Sequence, residues 1–224
     1  MSFKTFKILF YIILISMILF FYTRNINIFN NNFYKNIKEI DNPNNIDVLV
    51  NKNNKLNKFY KPTDLVKLNQ KYSNENKYLR KEAAKNFEKL SKDALKDNYY
   101  IISVSTYRSY FYQQELFNYY LKEKGEKYAL KASAKPGHSE HQTGLAVDVM
   151  GSNKDYNKFD ESKEFDWMTN NSYKYGFILR YPKGKEYITG FKYEPWHYRY
   201  VGKDIAKYIY EHNITLEEYI KMKK

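Results

Sequence analysis

In the run LAVDVM, Leu145 to Met150, a carboxylate stands among five apolar residues. Such a run reads as a buried strand. Alternation along it puts Asp148 on the face opposite Val147 and Val149. Burying an unpaired carboxylate is costly, so Asp148 calls for a cation. The preceding stretch, GHSEHQTG from Gly137 to Gly144, holds two of the chain's four histidines. His141 and Asp148 lie seven positions apart, and on one continuous strand they would face opposite sides. A turn at Gly144 resolves this by bringing His141 in from the entering loop toward the point that Asp148 faces. Imidazole and carboxylate are good zinc ligands, and a catalytic zinc keeps three protein ligands and one open position. The third ligand then comes from His197 or His212. His138 orders the loop or rims the site, and His212 falls on an exposed helix end.

His197 lies in YEPWHYRY, three residues after Glu194. Pro195 disfavours helix at Glu194, so this E-x-x-H is a turn leading into a strand, which can set a carboxylate over a water at the metal. The set amounts to a hydrolase, with His141, Asp148 and His197 on zinc and Glu194 as general base. The chain has no cysteine. That excludes disulfides, iron–sulfur clusters and thiolate zinc sites.

The rest of the chain predicts one domain. Leu79, Ala83, Phe87, Leu90 and Ala94 recur at helical spacing between Asn76 and Asp97. YYIISVS reads as a strand, Ser109 caps a second helix that Gly125 stops, and GFILRY and WHYRYV read as further strands. Thr215 and Glu218 form a capping box for a short terminal helix. Helices and strands do not alternate regularly, so the expected fold is α+β, with a small, mostly antiparallel central sheet flanked by helices.

At the N-terminus, Lys4 and Lys7 precede an apolar run from Ile8 to Tyr22 with no A-x-A-like cleavage site. Residues 1–24 read as a signal-anchor, a transmembrane segment that places the catalytic domain on the extracellular side of a single-pass membrane protein; cleavage would make it secreted. Residues 25–45 read as an Asn/Lys-rich tether, and 46–224 as the folded domain. Lysine and arginine outnumber acidic residues 38 to 25, a net charge of +13. On an exported domain that charge would meet membrane head groups and anionic wall polymers, not nucleic acid.

SEHQTGLAVD, Ser139 to Asp148, is similar to the S-x-H-x-x-G-x-A-x-D motif of the zinc D-alanyl-D-alanine carboxypeptidases of the vancomycin-resistance accessory type, and EPWH resembles their second motif. YKPTDLV, LRKEAAKNFEKL and ISVSTYRSYFYQQELF extend the resemblance over about residues 48–203. It implies an LAS-type zinc peptidase domain in 46–224, with His141, Asp148 and His197 on Zn2+ and Glu194 as base. It further implies that Arg108, in TYRSY, binds substrate and steadies developing charge, and that Ser139 and either Gln113 or Gln114 contact substrate. The implied activity is removal of the terminal D-Ala from peptidoglycan stem peptides ending in D-Ala-D-Ala, by a monomer. An L,D-carboxypeptidase, a stem-peptide endopeptidase and a non-catalytic wall-binding module are the alternatives. Ser105 and Thr106 depart from the family's usual residues before the aromatic, which bears on loop flexibility and not on the chemistry.

Overall fold

The strands expected from the apolar runs pair into one antiparallel sheet. The computed structural model describes residues 7, 10–17, 19 and 33–223. Its elements run β1 (Lys38–Glu39), β2 (Asn54–Lys55), β3 (Leu65–Lys67), β4 (Tyr78–Arg80), α1 (Lys81–Lys96), β5 (Ile102–Ser105), α2 (Tyr110–Lys124), α3 (Glu126–Ala132), β6 (Ala146–Met150), α4 (Lys163–Asn171), β7 (Phe177–Leu179), α5 (Glu186–Thr189), β8 (His197–Tyr200), α6 (Lys203–His212) and α7 (Leu216–Met222). The central sheet has the order β5-β6-β8-β7, and every pairing in it is antiparallel. Two small pairs flank it, β1 with β2 and β3 with β4. This is the expected α+β architecture.

Alternation in β6 and β8 separates core from site. Val147, Val149, Tyr198 and Tyr200 enter the main core with Phe177 and the buried face of α1, Ala83, Phe87, Leu90 and Ala94. Asp148 sits opposite His197 in the register, so both project from the other face. The predicted caps are present. Ser109 Oγ accepts from Tyr112 N at the start of α2, Gly125 ends that helix at φ 80°, and the Thr215–Glu218 capping box opens α7.

Helix α1 begins at Lys81, not at residue 76, because Tyr78–Arg80 pairs with Leu65–Lys67 instead. The pairing is held by Arg80 Nε on Asp64 at 2.9 Å and by Arg80 N donating to Gly144 O at 2.9 Å. Tertiary hydrogen bonds have overridden local helix propensity there.

Gly144 adopts φ +65°, and a Cβ on it would lie 2.7 Å from Leu65 Cδ2 and 3.1 Å from Arg80 Cγ. Gly144→Ala is therefore expected to cost about 1–3 kcal/mol from the backbone conformation, with the Leu65 overlap in addition. A thermal melt of the variant checks this; an unchanged midpoint would mean that the turn relaxes freely.

One N-terminal expectation, the membrane location, needs correction. The chain divides into a unit of Met1–Lys35 and a compact unit of Asn36–Lys224. Residues 36–45, expected in the tether, belong to the second unit, where β1 pairs in parallel with β2. In the first unit residues 10–17 are helical. No helix among the described residues is long and apolar enough to cross a membrane, which overturns the expected single-pass membrane location. The remainder of the expected signal-anchor, and residues 25–32 of the tether, lie outside the described residues.

Candidate metal centre and active site

Strand pairing and one glycine turn assemble the predicted ligands. Asp148 on β6 and His197 on β8 are cross-strand neighbours, and His197 Nδ1 lies 2.9 Å from Asp148 Oδ1. His141 arrives from the 3-10 turn Glu140–Thr143, which Gly144 closes, and its Nε2 lies 3.3 Å from Asp148 Oδ2. One ligand atom from each of the three lies within 4.8 Å of the other two, and all three residues are buried. His212, the other candidate third ligand, bonds Tyr208 O on an exposed helix end.

The proton on the His141 imidazole is set by its outer partner. His141 Nδ1 stands 2.6 Å from Thr106 O. A carbonyl only accepts, so Nδ1 carries the hydrogen and Nε2 presents its lone pair inward. That Nε2 is buried with no hydrogen-bond partner. Burial, with Arg108 adding to it, pushes the His141 imidazole down to about 4. It is thus neutral at pH 7, the form that ligates metal.

His197 is opposite in behaviour. Burial would lower its pKa, but Asp148 and Glu140 carry it up to about 9. Its Nε2 faces Glu140 Oε2 at 3.6 Å. Its Nδ1 is directed at Asp148, in position for a cation in place of a proton. An orphaned imidazole nitrogen, a second imidazole nitrogen against a carboxylate and that carboxylate fit a divalent cation.

Glu140 was not singled out by sequence. It is fully buried, with Oε1 accepting from Arg180 Nε at 2.7 Å and from Arg199 Nη1 at 2.8 Å. Burial alone would raise its carboxyl, yet the two guanidinium groups hold it well below the ordinary range. Arg180 also forks onto Glu217 of α7 at 2.7 and 2.8 Å. The detectable signal was two arginines inside the apolar strand runs GFILRY and WHYRYV, which must find buried acids.

Glu194 lies in the expected turn, where His197 N donates to Glu194 O at 3.0 Å. Its Oε2 is 3.9 Å from His197 Nδ1. Burial pushes its carboxyl up to about 7; His197 opposes this and Asp148 adds to it.

These groups line a pocket of about 720 Å³, within the range of ordinary ligand sites. Arg108 and Ser139 line it with Glu194, His141, Asp148 and His197. Arg108 N donates to His141 O at 3.2 Å, and the buried Arg108 Nε has no hydrogen-bond partner. Gln113 does not line the pocket. It is 1% exposed, and its Nε2 donates to Ser133 Oγ and Ala134 O, both at 2.8 Å, so it buttresses the wall from behind. Sequence placed it on the right helix, but its phase on α2 turns it inward.

The chain is similar to known carboxypeptidases. The family model described as VanY, D-alanyl-D-alanine carboxypeptidase, matches residues 76–203. A protein named as a carboxypeptidase, YodJ of Bacillus subtilis (strain 168), is 45% identical over 206 residues, covering 86% of this chain and 76% of that protein. A bifunctional D-Ala-D-Ala dipeptidase and carboxypeptidase, VanXYC of Enterococcus gallinarum, is 42% identical over 178 residues, covering 76% of this chain and 91% of that protein. Among solved structures, the LdcB LD-carboxypeptidase superposes with a TM-score of 0.78 at 45% identity, over 84% of this chain and 91% of that one. VanYB in complex with D-alanine-D-alanine superposes with a TM-score of 0.69 at 35% identity, over 80% and 99%. A VanY from the VanB-type cassette, in complex with Zn(II), has a TM-score of 0.68 at 35% identity, over 78% and 98%. The chain belongs to the D-alanyl-D-alanine carboxypeptidase family that the VanY model describes.

Proposed function

We propose that the protein is a zinc-dependent D-alanyl-D-alanine carboxypeptidase that removes the terminal D-Ala from peptidoglycan stem peptides. The observation that carries this reading is one buried His/Asp/His cluster sharing a pocket with Glu194, Arg108 and Ser139. Two imidazoles and a carboxylate with no cysteine suit zinc, and a structural relative was solved with Zn(II). In this reading His141 Nε2, an Asp148 oxygen and His197 Nδ1 hold the ion. Bound there, zinc supplies a Lewis acid for the scissile carbonyl and lowers the pKa of water to about 7.

The chain's own groups do the rest. The Glu194 carboxylate takes a proton from the attacking water and returns it to the leaving D-Ala amine. The Arg108 guanidinium offers paired donors to the substrate carboxylate or to the developing oxyanion. Ser139 adds a donor at the same wall. The peptidase domain corresponds to the unit from Asn36 onward.

One observation favours a second reading. The LdcB structure is 45% identical and is an LD-carboxypeptidase. A tetrapeptide ending in a single D-Ala after an L-centre separates the two. The expected result is loss of one alanine from a pentapeptide ending in D-Ala-D-Ala, followed by mass spectrometry, abolished by a chelator and restored by zinc. Cleavage of the tetrapeptide alone would replace D,D- with L,D-specificity, and chelator-resistant cleavage would remove the metal from the mechanism.

A further inference from the structure

The outer face of α1 carries Lys81, Lys85, Lys89, Lys92 and Lys96, all exposed. At 3.6 residues per turn they fall within an arc of about 80° and, at 1.5 Å rise, along about 22 Å of helix. The acids of the helix are turned to its flanks and engaged there. Glu82 accepts from the Tyr200 hydroxyl at 2.6 Å, Glu88 from Asn69 N at 2.8 Å, and Asp93 from the Tyr175 hydroxyl at 3.0 Å. Lys96 pairs with Asp93 at 2.6 Å. Among the described residues the other four ammonium groups have no carboxylate within salt-bridge distance.

The row's position is informative. The buried side of α1 packs against Val147, Val149, Tyr198 and Phe177, one face of the sheet, whereas Asp148 and His197 project from the opposite face. The lysines therefore point away from the pocket. Their row is narrow and bordered by Glu88 on one side and Glu82 and Asp93 on the other. A flat anionic bilayer would meet those acids too; a thin chain can follow the lysines alone. Single-stranded nucleic acid is bound by charge together with aromatic platforms for its bases, and this face of α1 bears no aromatic residue.

We propose that the outer face of α1 is a docking row for a linear, base-free phosphodiester polyanion, holding the enzyme by its back and leaving the pocket directed away from the polymer. Each ammonium meets a phosphate as a point charge.

The test uses the full chain and poly(glycerol phosphate) as probe, with binding measured at several salt concentrations. A K85Q/K89Q/K92Q triple variant is compared with a K122Q/K124Q/K127Q control of equal charge change on α2 and α3. Taking roughly fivefold per lysine from anionic surfaces, the first should bind about 100-fold more weakly. Its log–log salt slope should fall by about 2, at roughly 0.7 per phosphate contact. The control should bind as the parent does, and both variants should keep the parent's melting temperature. Equal weakening in the two variants would reduce the effect to net charge and overturn the proposal. So would binding of phosphatidylglycerol/phosphatidylcholine vesicles through the same lysines with no binding of the polymer. The readout involves no turnover, so it stands or falls separately from the proposed peptidase activity.

Discussion

Glu194→Ala is expected to lower turnover of a D-alanyl-D-alanine peptide by about 10²–10⁴-fold, the usual contribution of a general base, while the protein still binds zinc. The carboxylate is close to the cluster without being part of it, since its Oε2 stands 3.9 Å from His197 Nδ1 whereas Asp148 Oδ1 stands 2.9 Å away. Burial that pushes the carboxyl up to about 7 also gives it the proton affinity that a base working near neutral pH requires. Metal content by elemental analysis, read beside kcat, decides the role. Loss of zinc with activity would make Glu194 a ligand, and retention of both would move the base elsewhere.

The second large effect falls on stability. Glu140→Ala is expected to destabilise the domain by about 3–5 kcal/mol, because removing one partner of a buried ion pair strands the others. Arg180 keeps Glu217, and Arg199 keeps the carbonyls of Ile46, Val48 and Tyr200, but each loses the carboxylate at its centre. Urea titration measures the loss. Glu140→Gln preserves shape and one acceptor, so it should cost less while still removing the charge that faces His197 Nε2. For that variant zinc affinity should fall about 10- to 100-fold, the usual consequence of losing an outer partner of a ligating histidine. A Glu140→Ala cost below about 1 kcal/mol would show that the arginines find other acceptors or water.

The residues of the candidate site were legible in the sequence where residue type and spacing are local. Asp148 in an apolar strand, His141 before a glycine turn and Glu194 three residues ahead of His197 each carried a physical reason, and the geometry brings all four together. Caps and stops were legible for the same cause: Ser109, Gly125, Thr215 and Glu218 act on backbone within a turn of themselves.

What lay beyond reach depended on partners distant in the chain. Gln113 has the chemistry of a substrate contact, and only the packing of Ser133 and Ala134 against α2 turns it into a buttress. The start of α1 was mistaken because β4 gains its hydrogen bonds from β3 and from Gly144 O. The expected membrane span rested on hydropathy along one segment, and the described residues contain no helix of that length and apolarity. Glu140 was the largest omission, since its role comes from Arg180 and Arg199, 40 and 59 positions away.

By itself, then, the sequence determined which residue types meet in the candidate site, the turn that lets His141 meet Asp148 and the alternation that buries Val147 beside an exposed-to-site Asp148, because these follow from side-chain chemistry and strand period alone. Only the tertiary structure decided the tautomer of His141, the raised pKa of His197, the charge state of Glu140 and the direction of the α1 lysines. Each of those is set by Coulomb and hydrogen-bond contacts between segments that meet only when the sheet closes.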